Sequence, residues 1–445
     1  MCAIFGVFNA RKAAELTYVG LHAQQHRAVE YAGIATNDGV NFFRHAGAGL
    51  VREVFNQGVL DGLHGKNALG HIRYSTVEDS PLADNAQPIV LGDMAIAHNG
   101  NITNTHELLG RLGRAVVPST AIDTELILQH LVHSDGHILT RLQKVLAGVR
   151  GSYSLVVLLP DRLIAVRDPS GNRPLVWGTR DGESFVASES CALQAVEADF
   201  IREVRPGEML TITKDGIGSE RLTSGRGQPL AHCIFEKIYF AHPASIVFGE
   251  ETYAFRLRLG KRLEELCPVI GGEVVVPVPD SAEDIAVGYA LCGRSGVYQK
   301  AIKRHHYIGR SFIEGGQYLR SAKASRKFTI VPSLVQGKSV VVVDDSIVRL
   351  TTAPHVGARL RQMGAREVHF RIACPPIVSP CHYGIDTPTR QELAASHMST
   401  EEMRVRIGAD SLEFLPIEAL RALHTNPDDF CYSCMTGRYP AFMEP

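Results

Sequence analysis

Ser339-Val340-Val341-Val342-Val343-Asp344-Asp345-Ser346-Ile347-Val348-Arg349-Leu350-Thr351-Thr352 is the stretch on which the reading of the fold turns. Four consecutive valines without alternation read as a buried strand, covered on both faces. An acidic pair closes that strand, a short loop follows, and the pattern then predicts a helix from Thr351 to Met363. Free backbone N–H groups at the helix start, with the Ser346, Thr351 and Thr352 hydroxyls, suit a phosphate. The adjacent carboxylates of Asp344 and Asp345 suit the vicinal hydroxyls of a ribose and a hydrated Mg²⁺. A Rossmann-like strand with an acidic cap would share part of this pattern.

Working outward, Val274–Val278 predicts a strand, a helix starts near Ala282, and Glu367–Ala373 predicts another strand after the Thr351 helix. Strand, helix, strand at this spacing predicts an α/β unit with a parallel sheet. Upstream of the polar segment Thr223-Ser224-Gly225-Arg226-Gly227-Gln228-Pro229 the character changes. Short apolar runs at Cys2–Phe8, Met94–Ala97 and Ser152–Leu159 predict a layered, β-rich unit. Ser152–Leu159 and Leu163–Val166 read as a hairpin across Pro160-Asp161, and a helix is expected to start after Asp123 and run to about Val132. The expected domains are therefore 2–225 and 231–445.

Composition excludes several classes. The chain has 445 residues, a net charge of −1 and no long run of Lys and Arg, so nucleic acid is not an expected partner. The N-terminal apolar stretch ends by Asn9, too early for a signal peptide, and no segment is long enough to span a membrane. The odd count of nine cysteines fits a reducing, cytoplasmic setting better than a disulfide framework.

Cys2 follows Met1 directly, so removal of Met1 would leave a thiol and a free α-amine on one residue. An α-amine titrates near ~8 and can take the thiol proton. Four clusters follow: Gln25-His26-Arg27, Gly70-His71-Ile72-Arg73-Tyr74-Ser75-Thr76, Ala97-His98-Asn99-Gly100-Asn101, and Ile122-Asp123-Thr124-Glu125. Taken singly they read otherwise: Asn-Gly as a turn, Arg73 as a salt-bridge arginine, Asp123 as a helix cap, His71 and His98 as structural histidines. Their order resembles the glutaminase domain of the N-terminal-nucleophile (Ntn) amidotransferases, over roughly residues 2–220. That resemblance implies an αββα layered Ntn-hydrolase fold. It makes Cys2 the nucleophile, and the Asn99 side chain and Gly100 N–H the oxyanion donors. Arg73 and Asp123 then hold the carboxylate and ammonium of free glutamine.

The second half resembles type I phosphoribosyltransferases. The resemblance makes Asp344 through Thr352 (Ser346, Ile347, Val348, Arg349, Leu350 and Thr351 between them) the phosphoribosyl pyrophosphate loop. It makes Ser281, in Val276-Pro277-Val278-Pro279-Asp280-Ser281, a Mg²⁺ contact beside Asp344 and Asp345. Tyr307–Ile313, including Arg310, and the polar stretch to Lys327 correspond to a loop closing over the diphosphate. With Asp168–Leu175, Ala187–Ser190 and Tyr383–Thr387, the likeness to the glutamine phosphoribosylpyrophosphate amidotransferase family runs nearly end to end. It implies transfer of glutamine-derived ammonia to C1 of phosphoribosyl pyrophosphate, purine nucleotides as feedback inhibitors, and a homo-oligomer, by resemblance a tetramer. This chain departs from the family's pattern at Ala28-Val29, His242, Ala244, His306 and Leu350, the last standing where the phosphate loop has Gly. Two other readings are an amidotransferase for a different phosphorylated sugar and a non-catalytic regulatory protein that binds phosphoribosyl pyrophosphate.

Cys431-Tyr432-Ser433-Cys434 is a C-x-x-C pair that suits a redox, zinc or iron–sulfur role and needs two further ligands to complete a metal site. The iron–sulfur subclass of the family has cysteines at the positions of Cys233 and Cys381. Resemblance therefore assigns a [4Fe–4S] cluster to Cys233, Cys381, Cys431 and Cys434, with structural zinc as the alternative. Cys191, Cys267, Cys292 and Cys374 read as small core residues.

Overall fold

The computed structural model describes residues 1–74, 86–112, 122–304, 328–387 and 389–440. Two antiparallel sheets face each other in the first half. One has seven strands in the order Asp199–Glu203, Val176–Arg180, Glu183–Ala187, Ala3–Phe8, Asn67–Arg73, Tyr31–Asn37, Phe42–Ala48. The other has six, in the order Gly216–Arg221, Glu208–Thr213, Arg162–Arg167, Gly151–Leu159, Met94–Ile102, Ile89–Leu91. Alternation along Ala3–Phe8 shows how the layers form. Ile4 and Phe8 point into the inter-sheet core with Ala95, Ala97, Val156 and Leu163. Ala3, Phe5 and Val7 point the other way, against Ala13, Ala14 and Leu21 of the helix Ala13–Ala23. The outer face of the second sheet is covered by Asp123–Val132 and Ile138–Leu146. This is the expected αββα arrangement.

The second half is built on a five-stranded, wholly parallel sheet in the order Val297–Tyr298, Val274–Pro277, Ser339–Asp344, Glu367–Ile372, Ser411–Phe414. The valine run divides its side chains strictly by parity. Val341 and Val343 pack with Phe255, Leu259 and Ile285 from Thr252–Leu266 and Glu283–Ala290. Val340 and Val342 pack with Val356, Leu360 and Met403 from Thr352–Gln362 and Thr400–Ile407. Each fully buried valine contributes roughly 1.5–3 kcal/mol of apolar burial, so covering both faces is what makes an unbroken valine strand favourable. No helix among the described residues is long and apolar enough to cross a membrane.

The two halves meet through backbone as well as side chains. Ala231 N–H donates to the Ser170 carbonyl (2.9 Å) and Cys233 N–H to that of Asn172 (3.2 Å). The residues just beyond the 223–229 segment are thereby fixed to the loop 168–174.

Candidate active site and cysteine centre

Cys2 lies at the start of the strand Ala3–Phe8, and its carbonyl accepts a hydrogen bond from Arg27 Nε (2.9 Å). Ala3 pairs with Ile72 on the neighbouring strand, which ends at Arg73, so Arg73 and Cys2 emerge at the same end of one sheet. His98, Asn99 and Gly100 sit on Met94–Ile102 of the facing sheet. The Asn-Gly pair is therefore no turn. It lies inside a strand longer than the apolar run suggests, with Asn99 opposite Ser154 and Gly100 opposite Tyr153. Gly100 has φ 151°, and a Cβ there would fall 2.1 Å from the Ser152 carbonyl oxygen, so no other residue fits. The Asn99 carboxamide is 1% exposed, and neither its nitrogen nor its oxygen has a hydrogen-bond partner among the described residues. Such orphaned polar atoms are costly unless something binds them.

His98 lies against Asp123. Its Nδ1 lies 3.4 Å from Asp123 Oδ2, and its Nε2 donates to the Ser152 carbonyl (3.2 Å). Burial pushes the ring's pKa down, but the Asp123 carboxylate outweighs it and the nearby Cys2 thiol adds to the net rise. Asp123 is the first residue of its helix and accepts from the N–H groups of Ile102 (3.0 Å) and Thr124 (2.8 Å). Burial would raise its carboxyl; His98 and those amides prevail and bring it to about 2. His71 donates through Nε2 to the His98 carbonyl (3.0 Å), and burial takes it down to about 3, a neutral spacer between the sheets. With Met1 in place, burial lowers its α-amine to about 6.

In the second half, Asp344 and Asp345 are buried at the carboxyl end of the valine strand. The Ser281 and Ser346 hydroxyls each donate to Asp345 at 2.6 Å, and Asp345 N–H donates to Asp344 Oδ1 (2.9 Å). Burial raises the Asp345 carboxyl, which these hydroxyls and Arg256 only partly offset. The loop beyond is pinned in three directions. Val348 faces the cysteine cavity. Arg349 binds Glu392 (2.7 Å) and the Asp386 carbonyl (3.1 Å). Leu350 adopts the left-handed conformation a glycine would take, φ 52°, and turns its side chain into the core with Ile347, Ala353 and Val356. The leucine side chain is thus turned away from solvent. The helix spans Thr352–Gln362, so Thr351 and Met363, expected as its first and last residues, are its caps. Arg310, with the rest of the expected closing loop and His306, lies outside the described residues, as do Ser75 and Thr76.

Cys233, Cys381, Cys431 and Cys434 line a single cavity, together with Arg173, Phe235, Val348, Ile377 and Tyr383. The C-terminal Phe430–Cys431 pairs in parallel with His232–Cys233, which sets Cys431 beside Cys233. Cys381 Sγ accepts from Tyr383 N–H (3.4 Å), and the Cys434 carbonyl accepts from Val378 and Ser379 N–H. Burial pushes the Cys233 thiol up to about 12 and raises Cys431 and Cys434. Among the described residues, no three Cys, His, Asp or Glu side chains converge closely enough to grip one metal ion. All nine cysteines are free; Cys191, Cys267 and Cys374 are buried as expected, whereas Cys292 is only half-buried and is not a core residue.

The two centres and the cavity are physically linked. Beside Cys381, the loop 382–384 lies on the strand that carries Asn99. Asn101 Nδ2 donates to the His382 carbonyl and Ser152 Oγ to that of Tyr383, both at 2.8 Å. A Cβ on Gly384 would come within 3.1 Å of the Gly100 carbonyl. Sequence reasoning gave no role to His98, Glu189 or Glu236. His98 adjoins the Asn-Gly pair, which was a usable signal; Glu189 lies in the family-like stretch Ala187–Ser190, but nothing local marks what it or Glu236 touches.

An Ntn glutamine-hydrolysing unit joined to a type I phosphoribosyltransferase unit defines the class, a glutamine amidotransferase fused to a phosphoribosyl-transferring domain. Residues 71–195 match the glutamine amidotransferase domain family. A chloroplastic amidophosphoribosyltransferase of Glycine max is 44% identical over 450 residues, covering 99% of this chain and 78% of that protein. The Bacillus subtilis amidophosphoribosyltransferase is 40% identical over 99% of this chain and 94% of its own length. The solved structure of glutamine phosphoribosylpyrophosphate amidotransferase from B. subtilis, complexed with ADP and GMP, superposes with a TM-score of 0.91. It covers 100% of this chain and 98% of that one at 38% identity. The chain belongs to the amidophosphoribosyltransferase family.

Proposed function

We propose that the chain hydrolyses glutamine at Cys2 and delivers the ammonia to C1 of phosphoribosyl pyrophosphate, forming 5-phosphoribosylamine, glutamate and pyrophosphate. The observation that carries this is the buried, unpartnered Asn99 carboxamide on the strand facing Cys2. A buried amide with a free N–H suits the stabilisation of the oxyanion that a thiolate attacking an amide develops. Once Met1 is removed, the Cys2 α-amine takes the thiol proton. Arg73 and Asp123 hold the glutamine carboxylate and ammonium, and Asn99 and the Gly100 N–H receive the oxyanion. Its collapse breaks the C–N bond as the α-ammonium returns its proton to the departing ammonia, and water hydrolyses the resulting thioester to glutamate.

In the second half, Asp344 and Asp345 engage the ribose hydroxyls while the loop from Ser346 to Thr352 holds the 5-phosphate. A buried carboxylate pair with its nearest hydroxyl donors at Ser281 and Ser346 fits a hard cation. Mg²⁺ is commonly held by one or two carboxylates plus substrate phosphates. Bound there, it would neutralise charge on the departing pyrophosphate. The inward packing of Leu350 leaves room for that phosphate, so this departure gives no reason to invoke another sugar.

The four cysteines fit a [4Fe–4S] cluster better than zinc. Zinc requires sulfurs about 2.3 Å from one point, whereas here the thiols line a shared cavity without converging on one ion. The cluster would serve as a structural tie. Purine nucleotides as inhibitors and a homotetramer are our reading from the nucleotide-bound B. subtilis relative and its family. Nine unpaired cysteines support a cytoplasmic setting.

Cys2→Ala tests the first half of the mechanism: glutamine-dependent synthesis should vanish while ammonia-dependent synthesis survives. The double variant Asp344→Asn, Asp345→Asn should do the reverse. Undiminished glutaminase turnover in Cys2→Ala would sink the assignment.

A further inference from the structure

We propose that Glu236, in the second half of the chain, is a positioning residue for the glutaminase nucleophile, acting through Arg27. The inference rests on the reading of Cys2 as that nucleophile. Arg27 donates from Nε to the Cys2 carbonyl at 2.9 Å. Its Nη1 and Nη2 donate to Glu236 Oε2 and Oε1 at 3.0 and 2.8 Å. Both side chains have no solvent exposure. A bidentate pair fixes the plane of a guanidinium as well as its place. The N–H that grips the nucleophile's carbonyl is therefore aimed by a carboxylate beyond the interdomain segment.

The surroundings show why Glu236 differs from its neighbour. Glu189 also accepts from Arg27 Nη1 (2.5 Å), but it is engaged besides by His26 Nε2, Ser245 Oγ and the His242 N–H. Glu189 touches one nitrogen of Arg27, and only Glu236 takes both. Arg173 reaches Glu236 from the other side, Nη1 to Oε1 at 3.2 Å, while its Nε donates to the Tyr383 carbonyl (3.0 Å). Two arginines and two glutamates, all with no side-chain exposure, thus balance in charge. Moving any one of them would strand a buried charge, so the set holds its geometry. A carbonyl gripped from a fixed direction sets the rotation of the Cys2 peptide and hence where Sγ points relative to Asn99. Misaiming a nucleophile slows the chemical step more than it weakens binding.

The test uses the full-length, Met1-processed holoenzyme carrying Glu236→Gln, which keeps one acceptor oxygen but loses the charge and the second grip. We expect alkylation of Cys2 by a diazoketone analogue of glutamine and kcat for glutamine to fall together by about tenfold. Glutamine KM and ammonia-dependent synthesis should stay within about twofold. Glu236→Asp, charged but one methylene short, should fall between the two, and it carries the test alone if the Gln variant does not fold. An unchanged alkylation rate overturns the proposal, as do equal losses with glutamine and ammonia, or failure of both variants to fold, because each makes the network structural only. If the wild-type enzyme itself resists the reagent, the reading of Cys2 fails instead.

Discussion

Asp123 and His98 form a contact whose strength depends on protons, and its sign can be worked out. Asp123 falls from 3.8 to about 2 in the folded chain, so its contribution to stability is present above about 4 and is lost as pH drops toward 2. His98 is raised above 6.5, so its contribution is present below that value and disappears as pH climbs through the folded pKa. On the proposed role of Asp123, the imidazolium below that pKa would compete with the glutamine ammonium for one carboxylate. Glutamine KM should therefore decrease as pH rises through the His98 transition. In Asp123→Asn the largest upward influence on His98 is gone and burial remains, so its ring should titrate below 6.5. Proton NMR of the two proteins decides it, and a His98 titration unmoved by the substitution would refute the pairing. Asp123 itself could be singled out in the sequence, because an acidic residue opening a helix after the Asn-Gly cluster resembles the glutaminase pattern. The contact between His98 and Asp123 was not legible, because adjacency to the Asn-Gly pair marks only the neighbourhood, and the contact itself depends on a strand and a helix meeting.

At the level of elements, the loop after the valine strand shows how a departure from a pattern can be absorbed by packing. A left-handed leucine costs roughly 1–2 kcal/mol relative to the usual backbone, yet Leu350 is 7% exposed and packs into the core beneath the loop. Removing a buried leucine typically costs about 2–5 kcal/mol, so burial outweighs the strain. Leu350→Gly should thus destabilise the protein by on the order of 1–3 kcal/mol even though it restores the residue best suited to that φ. Urea denaturation measures it, and a stabilised variant would mean the side chain is no anchor. The strand, the acidic pair and the helix start were all readable from the sequence, since they follow from local pattern. The direction of the leucine was not, since it depends on which apolar neighbours lie below the loop. The backbone of the Asn99-Gly100 pair could not be read from the pair alone for a similar reason. Asn-Gly prefers a turn locally, and only the strand 151–159 alongside, with Ser152 crowding Gly100, keeps it extended.

Across the whole molecule, the two halves were legible because each carries its own ordered motifs, but their joint was not, because it is made of single buried residues far apart in the chain. The cysteines are the exception, because the C-x-x-C pair is visible locally and the family resemblance adds Cys233 and Cys381 to it. They come from three separated segments around residues 233, 381 and 431–434, and they line one cavity at the junction. Filling that cavity with a thiolate-bound group would fasten the C-terminal strand Phe430–Cys431 to His232–Cys233, a pairing only two residues long that has little strength alone. Burial keeps Cys233, Cys431 and Cys434 protonated in the absence of a cation, so loading must release protons and should weaken as pH falls. Protein purified without oxygen should be brown and contain about four irons and four sulfides per chain. Cys431→Ser should be colourless and poorly soluble, with a melting temperature several degrees lower, because the same ligand that completes the group also ties the terminus. Iron and sulfide analysis with calorimetry checks both parts. Stoichiometric zinc without iron would replace the cluster by the zinc alternative, while a Cys431→Ser protein of wild-type stability would show that the tie is made by protein contacts alone.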